Sequence, residues 1–240
     1  MMYIAMMSAT ELNPTPLYIK STLFWLIFTS AVGFLQMTYV FKIEPLKPIY
    51  FIAPGAVGLI FGLLTGHIIF LSRKLKWCSL HDPLTEVYNH RHYQHTLNDW
   101  CNSQSTFSLI LFDVDHFKNI NDKYGHKFGD NALIHICDLV HQTKRMYDIF
   151  ARHGGEEFAV LTPRTDLSEA EEIAKRICEA ISENPMPPDI QLTCSFGVAH
   201  FRPESDTANA LFERADKALY QSKREGRNRV TLESPQLVSD

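Results

Sequence analysis

From Tyr18 to Phe41 and again from Ile49 to Leu71 the chain is almost wholly apolar, with no period that would leave one helix face polar. Each stretch meets the roughly 20 residues that a helix needs to cross a bilayer. Neither is followed by a small-residue cleavage site of the kind that ends a secretory signal. The pattern predicts two retained membrane helices, 18–41 and 49–71, joined by a short outer loop from Lys42 to Pro48. Arg73, Lys74 and Lys76 follow the second stretch, which puts its exit and the N-terminal segment 1–17 on the cytoplasmic side. Lys42 and Lys47 in the outer loop pull weakly the other way. Gly58, Gly62 and Gly66 recur every fourth residue in the second stretch, a spacing that lets helix backbones approach closely. That face serves either to join two chains or to seat the first helix of the same chain. His67, polar and near the end of the span, reads as solvated at the interface.

Past a connecting helix at 72–80, the pattern becomes that of a mixed domain over 81–233, followed by a tail at 234–240. Phe107–Phe112 is an apolar run of strand length, ending in Asp113-Val114-Asp115, where alternation puts both aspartates on one face. A helix follows through Asn131–Thr143, with Leu133, Ile136, Cys137 and Val140 as its inner stripe. Ile149–Arg152 and Glu157–Thr162 read as two strands of a hairpin around a glycine turn. Asp166 or Ser168 caps a helix whose stripe is Ile173, Ala174, Ile177 and Ile181. A strand over Ile190–Phe201, a helix over Asn209–Arg224 and a strand over Arg229–Leu232 complete the order. Gly226 stands where a helix end favours positive φ. The order β-α-β-β-α-β-α-β predicts an α+β fold, with helices on a mainly antiparallel, ferredoxin-like sheet.

A chain of 240 residues, 45% hydrophobic and 21% charged, accommodates one ordinary folded domain and an accessory part. A formal charge of −4 gives no basis for binding a nucleic-acid polymer. The five cysteines are scattered without a CxxC pair and read as reduced thiols. His90, His92 and His95 lack a fourth ligand at suitable spacing and read as surface or packing residues.

The chemistry gathers at Arg152-His153-Gly154-Gly155-Glu156-Glu157-Phe158, where two adjacent glutamates follow two glycines. Like charges resist joint ionisation unless a cation is present. If the strand ending at Asp113 neighbours this hairpin, Asp113 and both glutamates face one small volume. Such hard oxygen donors suit Mg²⁺ shared with nucleotide phosphates, and the glycines let a phosphate approach the backbone.

Gly154-Gly155-Glu156-Glu157-Phe158 resembles the signature of the GGDEF family of diguanylate cyclases, which condense two GTP into cyclic di-GMP. DPLTEVYNHR (Asp82–Arg91), FDVDHFKNINDKYGHKFGDNAL (Phe112–Leu133) and ADKALYQSKREGRN (Ala215–Asn228) resemble further family blocks in family order. The resemblance runs from about Trp77 to Leu232. It implies that Asp113, the Val114 carbonyl, Glu156 and Glu157 bind Mg²⁺, with Mn²⁺ as a substitute. It also makes Glu156 the candidate base for the attacking 3′-hydroxyl, although a bound metal lowers a carboxylate's proton affinity and works against that role. Asp115 is implied only as a group behind the ligands.

Asn121, His126 and Asp130 match nucleotide-contacting positions; an aspartate accepting from guanine N1 and N2 favours GTP over ATP. Lys118, Lys223 and Arg227 match cations that hold or neutralise phosphates, Lys118 within the catalytic set. Arg145-Met146-Tyr147-Asp148, with Arg176 assisting from the next helix, matches an RxxD site at which cyclic di-GMP inhibits the family. Two residues depart from the pattern: Glu86 where the family usually has glycine, and His90 where it often has arginine. Together these imply a two-pass protein of the bacterial cytoplasmic membrane, catalytic as a homodimer with its domain in the cytoplasm. A catalytically inactive receptor for cyclic di-GMP or GTP is the alternative.

Overall fold

The two apolar stretches form helices α1 (Thr15–Leu35), continued by a π-helical turn (Gln36–Phe41), and α2 (Ile49–Leu80). A computed structural model describes residues 15–41, 49–203 and 205–234. The predicted outer loop and parts of the two terminal segments lie outside them. The chain divides into two units, Met1–Ser79 and Leu80–Asp240. In the first unit, α1 and most of α2 are long and apolar enough to cross a membrane, by length and composition. Large apolar side chains such as Phe24, Ile27, Leu64 and Ile68 are exposed.

The glycine face of α2 is filled by α1. A Cβ at Gly62 would stand 2.4 Å from the Thr22 Cα, and one at Gly58 2.8 Å from the Trp25 carbonyl oxygen. Ser21 Oγ donates to the Gly62 carbonyl at 2.9 Å. The Tyr18 hydroxyl lies 2.8 Å from His67 Nδ1. Of the two uses open to this face, the structure takes the seating of α1, and His67 is a tie between the helices as well as a polar residue near an interface.

The second unit is one five-stranded sheet in the order β2-β3-β1-β4-β5. The strands are β1 (Phe107–Val114), β2 (Ile149–Arg152), β3 (Glu157–Pro163), β4 (Cys194–His200) and β5 (Val230–Leu232). All neighbours are antiparallel except β4 and β5. The helices are α3 (His90–Asn102), α4 (Phe117–Tyr124), α5 (His126–Thr143), α6 (Leu167–Glu183) and α7 (Ala208–Arg224). The apolar run of β1 is buried along its whole length because both faces of the sheet are covered. Ile110, Phe112 and Val114 join the core with the stripes of α5 and α6, while Leu109 and Leu111 join the core with α3 and α7. Asp113 continues the second of these alternations, onto the α7 face. Gly197 of β4 lets α7 lie close, since a Cβ there would stand 2.1 Å from the Ala215 carbonyl oxygen.

The expected order holds, with α3 and α4 as additions. Gly125, at φ 85°, separates α4 from α5, which begins at His126 and not Asn131. The last strand but one begins at Cys194, because Met186–Ile190 is occupied by a turn closed by Ile190 N–H to the Met186 carbonyl. Asp166 is the cap of α6, in a reciprocal pair with Glu169.

Glu86 adopts a left-handed φ of 58°. That conformation costs a side-chain-bearing residue about 1 kcal/mol, which glycine avoids. Glu86→Gly should therefore raise the melting midpoint by about 2 °C, net of glycine's larger entropy in the unfolded chain. Thermal unfolding by circular dichroism would read this, and a lowered midpoint would mean that Glu86 makes a compensating contact.

Candidate active site

Antiparallel register sets Asp113 at the end of β1 directly opposite Glu157, the first residue of β3. Paired positions project to one side of a sheet, so both carboxylates lie on the face that α7 covers. The turn brings Glu156 to the same corner, where its carbonyl accepts the Val114 N–H at 3.2 Å. Lys223, in the last turn of α7, reaches Asp113 Oδ2 at 2.9 Å.

The electrostatics follow from this crowding. Burial holds the Asp113 carboxyl above its usual range, opposed by Lys223 and reinforced by Glu157 and Asp115. Burial also raises Glu156, with the charges of Asp113 and Glu157 adding to the effect and Lys223 opposing it. Among the described residues no three His, Cys, Asp or Glu side chains are grouped so that they could hold a metal ion by themselves. An open corner of hard oxygens with unmet negative charge nevertheless fits Mg²⁺, which usually takes one or two carboxylates and completes its shell with water and phosphate.

The turn itself is held by Arg152, a residue to which no role is assigned from sequence. Its Nε donates to the Gly154 and Gly155 carbonyls at 3.1 Å. Its Nη1 reaches Asp82 Oδ1 at 2.9 Å, and both side chains are largely buried. Asp82 also accepts from Thr85 N–H and Oγ1. Those hydrogen bonds, with the Arg152 charge, outweigh burial and hold its carboxyl below the usual range. The segment around Tyr88 is in turn bound to β2, with Tyr88 N–H to the Phe150 carbonyl and Arg152 N–H to the Tyr88 carbonyl. The only signal in sequence is an arginine beside a turn rich in carbonyls and carboxylates; its partner lies 70 positions away.

Asn121 on α4 lies against Gly129 of α5, the residue before Asp130. A Cβ at Gly129 would stand 1.9 Å from Asn121 Oδ1, so only glycine lets that amide lie beside the first turns of α5. His126 and Asp130 are exposed on α5, and Lys118 is exposed on α4. A cavity of about 340 Å³ lined by Asp216, Lys217, Leu219, Tyr220 and Lys223 runs along α7. Arg227 is half-buried just past that helix. Asp115 is buried and bonded to Thr193, Ser195 and Asn228.

Arg145 and Asp148 lie apart from this corner, in the turn between α5 and β2. Asp148 is buried, and its Oδ2 accepts the Arg145 N–H at 2.8 Å. Burial raises its carboxyl, opposed by that bond and by the charges of Lys144, Arg145 and Arg176. The three RxxD candidates are therefore within electrostatic reach of one another, with Tyr147 strongly exposed between them.

This sheet, with a carboxylate corner at the end of its central strand and a glycine turn beside it, is the arrangement of a GGDEF domain. Residues 79–229 match the family model described as diguanylate cyclase, GGDEF domain. The chain belongs to the GGDEF family. It is 42% identical over 141 residues to diguanylate cyclase A of Treponema denticola, covering 58% of this chain and 38% of that protein. The coiled coil and GGDEF domain of DgcB from Caulobacter crescentus, solved with c-di-GMP, superposes with a TM-score of 0.66 at 28% identity, over 70% of this chain and 93% of that one. The active GGEEF domain of a Vibrio cholerae diguanylate cyclase gives a TM-score of 0.57 at 28% identity, over 61% and 97%. The chain spans 38 to 56% of the length of the first curated relatives it matches.

A carboxyl whose folded pKa is raised contributes stability below its unfolded pKa and loses it as pH rises through the folded value. Without divalent metal, Glu156→Gln should therefore raise the melting midpoint at neutral pH, the stability gain being a fraction of about 1 kcal/mol once solvent screening is allowed for. The gap between variant and parent should close as pH falls through the carboxylate range. Thermal unfolding in chelator across that range measures it; equal midpoints at neutral pH would mean that the three charges are not in conflict.

Proposed function

We propose that the chain is a membrane-anchored diguanylate cyclase: two GTP yield cyclic di-GMP and two pyrophosphates. The observation that carries this reading is the convergence of Asp113, Glu156 and Glu157 at one corner, with Lys223 bonded to Asp113. In each of two steps a ribose 3′-oxygen bonds to the α-phosphorus of the other nucleotide, the bond from that phosphorus to the bridging oxygen breaks, and pyrophosphate leaves. Glu156, at that corner, is assigned to accept the 3′-hydroxyl proton. Bound by Asp113, the Val114 carbonyl, Glu156 and Glu157, Mg²⁺ (or Mn²⁺) supplies positive charge against the phosphate oxygens.

Asp130 accepts from guanine N1 and N2, Asn121 completes that edge, and His126 stands at the start of the same helix. Lys118, Lys223 and Arg227 neutralise the triphosphate. One domain presents one nucleotide, so the two reacting groups meet only when two chains face each other across a two-fold axis. Spanning helices α1 and α2 would hold such domains at the cytoplasmic face, where Arg73, Lys74 and Lys76 favour the exit of α2. Arg145, Asp148 and Arg176 form the site for inhibition by the product.

Membrane-inserted protein freed of bound cyclic di-GMP should form it from GTP and Mg²⁺, and Glu156→Ala should not. A folded, dimeric parent that makes none yet binds cyclic di-GMP would replace this reading with that of a receptor. Gly129→Ala, which displaces the Asn121 amide, should raise the KM for GTP roughly tenfold with a smaller change in kcat, the value of about one lost hydrogen bond to the base. An unchanged KM would remove Asn121 from base recognition.

A further inference from the structure

Asp115 is only 5% exposed, yet its carboxylate is fully engaged by the protein. Oδ1 accepts from Ser195 Oγ at 2.7 Å, and Oδ2 accepts from Thr193 Oγ1 at 2.8 Å. Oδ2 also accepts the backbone N–H of Asn228 at 3.1 Å. The Asp115 N–H is itself bonded to the Thr193 carbonyl at 2.9 Å. Two of the carboxylate's partners come from the start of β4 and one from the turn that follows α7.

That turn is unusual in its backbone. Gly226, Arg227 and Asn228 have φ of 111°, 63° and 45° in succession. Left-handed geometry is free for glycine but disfavoured for arginine and asparagine, and it persists only where the surroundings fix it. The fixing bonds are few. Arg227 N–H donates to the Ser222 carbonyl at 3.0 Å, and Phe196 N–H donates to the Arg229 carbonyl at 2.8 Å. The Cys178 thiol approaches Asn228 Oδ1 at 3.6 Å, and Arg229 Nε approaches the Arg227 carbonyl at 3.3 Å. Among these, the Asp115 bond alone brings a buried carboxylate to a backbone N–H of the left-handed pair, and charge-assisted bonds are the stronger class.

Two residues earlier, Asp113 holds Lys223. The two aspartates of the Asp113-Val114-Asp115 turn thus grip the segment Lys223–Asn228 at both ends, and that segment carries Lys223 and Arg227. We infer that Asp115 is a positioning residue that fixes Arg227 for phosphate binding through the Asn228 N–H, and is not a metal ligand. This rests on the phosphate-binding role of Arg227, one part of the cyclase reading, and adds to it the residue that aims that arginine.

A double-mutant cycle tests the inference on the full-length protein in detergent or nanodiscs. The readout is the Kd for a GTP analogue with a methylene group between its α- and β-phosphorus atoms, which cannot release pyrophosphate. Asp115→Ala should weaken binding about tenfold in the parent but less than about twofold in an Arg227→Ala background, since residues acting through one contact are not additive. The Mg²⁺ concentration giving half-maximal analogue binding should be the same in Asp115→Ala as in the parent. An equal loss in both backgrounds, or a tenfold shift in the Mg²⁺ requirement, would overturn the inference. If Asp115→Ala fails to fold by circular dichroism, Asp115→Asn keeps the shape and enters the same cycle with a loss of about threefold. Analogue binding without turnover of GTP would sink the cyclase reading and leave this one standing, whereas a parent that binds no analogue counts against both.

Discussion

Three carboxylates gathered at the edge of a hydrophobic core repel one another, and Lys223 brings positive charge to that corner. Asp113 and Glu157 are forced together by strand register, since β1 and β3 pair residue by residue through a buried, largely apolar interior. The register is in turn fixed by burial on both faces: a slip of one residue would carry Phe112 and Phe158 out of one core and the aspartate into it. Lys223 then answers Asp113 from the last turn of α7, and α7 reaches that far because Gly197 leaves no side chain beneath it. The proposed cation requirement is thus a consequence of packing. The hydrophobic cores dictate where the charges stand, and the charges dictate what must join them.

The turn that bears Glu156 is governed from outside the sheet. Arg152 binds two of its carbonyls and, through Asp82, the segment that leads into α3. A guanidinium is suited to this because one planar group spans several acceptors at fixed geometry, which a lysine ammonium does not do. Asp82 is itself set by Thr85, and the left-handed Glu86 closes the loop, with its N–H on the Asp82 carbonyl. A movement of this segment would therefore be felt first in the carbonyls of Gly154 and Gly155. This gives a physical route by which a change near the start of the domain can reach the carboxylate corner without touching it.

What the sequence made legible was whatever repeats locally. The continuous apolar run of β1, the stripes of α5 and α6, and the hairpin around Gly154-Gly155 follow from period and turn chemistry, and all lie where expected. The acidic residues at strand ends were legible too, because alternation alone assigns their face. The short helix α4 was not, since its eight residues carry few apolar positions and end at Gly125. Long-range partners were also hidden. Nothing local to Arg152 names Asp82, and nothing in the glycine spacing of α2 says whether its companion is α1 or another chain; within this chain α1 fills that face through Thr22 and Trp25. Asn121 and Asp130 were legible as residue types, but what seats the Asn121 amide is Gly129, whose missing side chain became meaningful only with the amide lying against it.

The packing of α1 on α2 also bears on how two domains would meet. With Gly58, Gly62 and Gly66 committed within one chain, an intermembrane partner would have to use the exposed apolar faces, where side chains such as Phe24, Ile27 and Ile68 find lipid and protein nearly equivalent. Association of that kind is weak unless a polar contact or close backbone approach favours it, and the polar ties Tyr18 to His67 and Ser21 to the Gly62 carbonyl are also spent within the chain. In the proposed cyclase, then, the hairpin contributes mainly confinement: two domains held to one surface meet at a far higher effective concentration than in solution. Whether a pair forms would be decided by the domains themselves and by the nucleotide shared between them, which makes the substrate part of the assembly that turns it over.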